Sequence, residues 1–93
     1  MMQVQQVSFA APRAAAEKWS VSASSAQSAA LAAGDYVFVC DQDCNILFGT
    51  NPTATTSCQF VPAKTLVRLK GVLASEKCAV LAAGSGSAWL MRG

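Results

Sequence analysis

A chain of 93 residues is one domain at most, and it buries a smaller share of its surface than a larger protein does. Only 13% of the residues are charged, about half the usual share, and a net charge of +2 from scattered basic residues is too small a footprint for nucleic-acid binding. The absence of histidine removes the commonest general base and the commonest neutral metal ligand together, and most hydrolase constellations with them.

The apolar fraction of 53% includes eighteen alanines, which contribute little area when buried. The core must therefore come from nine Val, seven Leu, one Ile and seven aromatic rings. A surface this poor in charge favours association with another surface. The opening residues have no basic start and no long apolar run, and the charge-free span 19–34 is too short and polar to cross a bilayer. Synthesis in a cytoplasm without export or membrane anchoring is the expectation.

Along the chain, large apolar residues recur with a period of two, the spacing of strands with one buried face. Val4 to Phe9 reads as a short first strand, and Pro12 to Lys18 as a helical turn with proline near its start. Trp19, Val21 and Ala23 alternate with serines as a second strand. The stretch SSAQSAALAAG is ambiguous between helix and strand, and the reading favours an extended strand ending at Gly34. Tyr36 to Cys40 and Cys44 to Phe48 read as a hairpin turning at Asp41 to Asp43, with Cys44, Ile46 and Phe48 on the buried face and Asn45 and Leu47 opposite. GTNPTATTS, residues 49–57, is a loop. Cys58 to Val61 and Thr65 to Leu69 follow as strands, with turns at Gly71 and at Ser75 to Lys77. Cys78 to Leu81 and Ala88 to Met91 form a final pair joined by AAGSGS, whose glycines suit positive backbone angles. About eight short strands at this spacing predict an all-β, small antiparallel β-sandwich or barrel.

No catalytic constellation is visible: Glu17 and Glu76 lie near turns, and no nucleophile motif surrounds any serine. The cysteines are spaced C-x3-C, C-x13-C and C-x19-C, with only one close pair and none of the usual zinc spacing. Reduced, buried thiols are the expectation, although Cys40 and Cys44 flank the turn closely enough to bridge on oxidation. Asp41, Asp43 and Asn45 spell D-x-D-x-N, the opening of a calcium loop, but Ile46 stands where glycine belongs and no acid recurs before Glu76. Tight-turn chemistry accounts better for these side chains. No metal or cofactor is expected. Lys64, Arg68 and Lys70 form a small basic stripe, read as a solvated strand face. Trp19, Trp89 and Tyr36 read as core or interface anchors, with an aromatic platform for sugar stacking as the alternative.

The phrases SAQSAALAAGDYVFVCDQDCNILFG, NPTATTSCQFVPAKTLVRLKGV and EKCAVLAAGSGSAWLMR occur in an order that resembles small tailed-phage virion proteins. Gly34, Tyr36, Asp41, Asp43, Cys44, Ile46, Phe48 and Gly49 match a GxYxxxxDxDCxIxFG segment. Pro52, Thr53, Ala54, Phe60, Pro62 and Ala63 match a PTA…FxPA segment. The resemblance covers residues 24–92 and implies a jelly-roll-like β-sandwich from a phage structural gene, in the capsid or in the tail.

The expectation is a β-sandwich over residues 19–93 carrying an N-terminal arm, residues 1–18, with Val4, Val7, Phe9 and Trp19 as partner-contact anchors. The function expected is that of a non-enzymatic virion protein, a decoration or cement protein on the capsid surface. Its partners would be the major capsid protein, copies of itself in a possible homotrimer, or both, with no nucleic acid and no membrane. A tail, collar or fibre-associated subunit and a carbohydrate-binding, host-recognition module are the alternatives.

Overall fold

The computed structural model describes residues 17–92. The first strand expected over Val4 to Phe9, and the anchors Val4, Val7 and Phe9, lie outside them. Eight strands follow in order: β1 (Glu17–Val21), β2 (Ala26–Gln27), β3 (Gly34–Cys40), β4 (Cys44–Gly49), β5 (Gln59–Val61), β6 (Val67–Val72), β7 (Lys77–Ala82) and β8 (Gly86–Arg92). They form two four-stranded antiparallel sheets, sheet A in the order β1-β8-β3-β6 and sheet B in the order β2-β7-β4-β5. The all-β sandwich expected from the alternation is the fold.

The pairing is nested. β1 pairs with β8, β2 with β7, β3 with β6 and β4 with β5, so the chain is one long hairpin rolled until its two arms form two sheets. That is the jelly roll, an eight-strand architecture of two Greek keys. Consecutive strands alternate between the sheets everywhere except at β4–β5, the tip of the rolled hairpin.

This topology corrects two local expectations. Tyr36–Cys40 and Cys44–Phe48 do not pair, because β3 belongs to sheet A and β4 to sheet B, and the Asp41–Asp43 turn is an arch between sheets. The final pair is corrected in the same way: β7 and β8 lie in different sheets. Positive backbone angles among the described glycines fall at Gly34 and Gly71, not in the AAGSGS connection. The physical reason is common to both. An arch and a hairpin reverse the chain over similar lengths, but in an arch both flanking strands turn a side chain into the space between sheets. Cys40 and Cys44 do so.

Other boundaries shift for local reasons. β1 begins at Glu17, so Glu17 and Lys18 are extended rather than part of a helical turn. The strand expected to run through SSAQSAAL to Gly34 is only Ala26–Gln27. Beyond it the segment stays beside β7 through substitute bonds: Ser28 N donates to Cys78 O (2.8 Å), Cys78 N donates to Ser28 Oγ (3.0 Å), and Leu31 N donates to Glu76 O (2.8 Å). β6 extends past Leu69 to Val72 across a bulge, where Asp35 faces Lys70 and Gly71 together. Gly71 adopts a φ of 76°, a conformation that glycine reaches without steric cost, and its N–H donates to Asp35 Oδ1 (3.2 Å).

The core lies between the sheets. Phe38 and Leu90 are its largest fully buried side chains, joined by Val21, Tyr36, Ile46, Val61, Val72, Val80 and three cysteines. Cys44 and Ile46 are buried, Phe48 packs against them, and Leu47 is 41% exposed, as the alternation of that strand predicts.

Candidate functional site

The D-x-D-x-N run lies at one end of the sandwich, and its three side chains reach three different parts of the chain. Asp41 Oδ1 accepts from Ser87 N (2.9 Å) at the start of β8. Asp43 Oδ1 accepts from Ala63 N (2.8 Å) between β5 and β6. Asn45 Nδ2 donates to Cys58 O (2.9 Å) just before β5. Backbone bonds reinforce the junction, with Lys64 N donating to Cys40 O (2.7 Å) and Ala83 N to Asp43 O (2.8 Å). Gly86 leaves room for the Asp41 carboxylate; a Cβ there would collide with it. These groups fasten neighbouring connections together and do not converge on a cation position. No group of three or more His, Cys, Asp or Glu among the described residues is arranged to hold a metal ion.

The other carboxylates are used in the same way. Glu17 accepts from Ala29 N (3.0 Å), Asp35 from Gly71 N, and Glu76 from Leu73 N (2.7 Å). All five acids of the sequence therefore serve backbone N–H groups. At the opposite end, Tyr36 OH donates to Ala32 O (2.8 Å) and accepts from Arg92 Nη1 (3.0 Å), while the guanidinium lies 5.2 Å from the Tyr36 ring centroid.

The four cysteines are free, and Cys40, Cys44 and Cys78 are buried in the core. Burial first, then the neighbouring Cys40 thiol and its hydrogen bond, then Asp43, push the Cys44 thiol up to about 12. Burial likewise pushes Cys78 up. Both thiols are therefore protonated and unreactive at neutral pH. Cys58 sits in the loop before β5, where hydrogen bonds with the Thr55 N–H and hydroxyl lower its pKa.

The three aromatic side chains considered for a sugar platform are not on one face. Trp19 points inward, with its ring 6.5 Å from that of Phe38 and Nε1 donating to Ala26 O (3.3 Å). Tyr36 is also buried, whereas Trp89 faces outward on sheet A. Trp19, expected as a partner anchor, thus has an intramolecular packing role. A shallow cleft of about 130 Å³ lined by Phe48, Leu69 and the β6 bulge is well below the roughly 300 Å³ at which small-molecule pockets begin.

The two outer faces differ. On sheet B the loop of residues 50–58 reaches across β7 to the β2 edge. Gln27 Nε2 donates to Pro52 O (2.8 Å) and Asn51 Oδ1 (3.0 Å), and Ala54 N donates to Ser25 Oγ (2.9 Å). Pro52 and Ala54 of this loop are buried, and Ala79, which faces outward by register, is 0% exposed. On sheet A, Val37 pairs with Met91 and Val39 with Trp89, giving an outward apolar block on the two central strands. Lys18 lies opposite Trp89 with its Nζ 5.5 Å from the ring centroid, and Arg68 lies opposite Val37. The sequence indicates part of this basic stripe through Arg68 and Lys70. Lys18 and Trp89 join it only through the β1–β8 register, which no local pattern encodes.

Fold and surface together define a small jelly-roll β-sandwich whose polar side chains chiefly fasten its own connections. The chain matches no protein-family model, no curated protein and no solved structure.

Proposed function

We propose that this chain is a non-enzymatic virion structural protein of a tailed phage, a decoration or cement protein that binds the outside of the capsid shell and stabilises it. The observation that carries this reading is the rolled-hairpin topology, an architecture used by viral capsid proteins and lectins among others. Because one fold serves many functions, topology alone does not choose among them. The resemblance of residues 24–92 to phage virion proteins favours the capsid, while a sugar-binding reading, which asked for Trp89 or Trp19 on a rigid exposed face, would rest on Trp89 alone, since Trp19 packs inward against Phe38. The spread of carboxylates over backbone N–H groups further supports a scaffold over a catalyst. The partner is the major capsid protein, with a homotrimer of this chain as a compatible arrangement on the coat.

Quantitative mass spectrometry of purified particles tests it. A copy number near one per coat subunit, or a simple fraction such as a third, is the expected result. A handful of copies per particle would move the protein to the tail or collar, and its absence from particles would overturn the virion reading.

A further inference from the structure

We infer that copies of this chain associate through the outer face of sheet B, Leu47 and Phe60 of one copy packing against the same side chains of a second. The contact belongs to the free protein and does not depend on the capsid reading.

Strand alternation makes the face. Cys44, Ile46 and Val61 turn into the core, so Asn45, Leu47 and Phe60 point outward from β4 and β5. Register sets Asn45 between Phe60 and Leu81, with Leu47 opposite Ala79 in the next outward row. The loop of residues 50–58 is fastened to the β2 side of the sheet and leaves this side open, where Leu47 is 41% and Phe60 52% exposed. Its returning limb, with Ser57 and Gln59 exposed, borders the patch and is tied to Asn45 through Cys58 O. An aromatic ring and a leucine within a polar surround match the anatomy of protein interfaces.

The distribution of charge selects the occupant. Residues 44–63 contain no charged side chain, and among the described strands of sheet B the one charged residue is Lys77, at the end of β7 opposite Gly49. The sheet A strands carry Glu17, Lys18, Asp35, Arg68, Lys70 and Arg92. In a symmetric contact a patch meets itself, so a charged face would set like charges together and desolvate them. The sheet B face instead buries apolar area against a second copy without stranding a charge.

The test is sedimentation equilibrium of the purified full-length protein at about 100 μM, far above the Kd of a micromolar contact. Wild type is expected at a multiple of the chain mass, and a monomer there would overturn the proposal. Phe60→Glu should raise the dissociation constant about tenfold or more, because it places an unpaired carboxylate in the contact. The matched control Leu73→Glu, at a 65% exposed position on the arch between β6 and β7, should associate as wild type does. Association unchanged in Phe60→Glu, or lost equally in Leu73→Glu, would overturn the face. Hydrogen exchange of wild type reads the same contact without a substitution. Raising the concentration through the association range should slow exchange in residues 45–47 and 59–61; slowing elsewhere in the chain and none there would overturn it.

Discussion

Sheets A and B share one core but treat their outer faces differently. Sheet B is covered in part by the chain's own hairpin tip: Gln27 and Ser25 hold residues 50–58 at the β2 edge, Asn45 holds the returning limb, and Ala79 is fully buried, while Leu47 and Phe60 stay exposed on β4 and β5. Over its central strands sheet A carries apolar side chains framed by Lys18, Arg68 and Lys70. In a domain this small the interior is common property, so specialisation is left to the two outer faces. The loop that covers one face is the element that makes them unlike.

The largest expected effect tests the common interior. Phe38→Ala empties a fully buried site beside Trp19 and should cost about 3–5 kcal/mol. Both sheets should then unfold in a single urea transition; two transitions would mean that the sheets are independent. Alkaline pH probes the same interior from sheet B. Cys44 and Cys78 keep their protons in the fold while the unfolded chain releases them above about pH 9, so stability present at neutral pH falls as pH rises. The expected slope is about 1.4 kcal/mol per pH unit for each thiol, with the Cys44 share levelling off near 12. Urea titrations at pH 7 and pH 10 measure it, and Cys44→Ala should halve it.

A smaller effect is expected where the sheets are joined. Asp41→Ala leaves the Ser87 N–H without its acceptor and should cost about 1–3 kcal/mol, whereas Glu17→Ala, whose bond to Ala29 is exposed, should cost less. Equal losses in thermal melts would contradict the fastening role of the 41–43 arch. The smallest effect is one-sided. Gln27→Ala should cost about 1 kcal/mol and speed proteolysis within residues 50–58, leaving the sheet A strands as protected as before.

The individual strands were legible in the sequence because alternation reports which side chains a strand buries. Tyr36–Cys40 and Cys44–Phe48 were located from it within a residue or two, and the all-β sandwich followed. Alternation says nothing about which strand lies alongside, so the β3–β4 and β7–β8 arches read as hairpins. The jelly roll pairs β1 with β8 and β2 with β7, contacts between distant parts of the chain that local turn chemistry cannot specify. The same limit applied to D-x-D-x-N. Backbone bonding was the right chemistry, but the acceptors' partners at Ser87 and Ala63 lie far along the sequence. The basic and apolar face of sheet A was half legible: Arg68 and Lys70 alternate on one strand, while Lys18 and Trp89 come together only across β1 and β8.

Hydrogen exchange of wild type and the Gln27→Ala chain, compared residue by residue, tests the contrast between the faces most directly. The account predicts faster exchange within residues 50–58 of the variant, with residues 37–39 and 87–91 of sheet A unchanged. Equal acceleration in the sheet A strands, or none within residues 50–58, would contradict it.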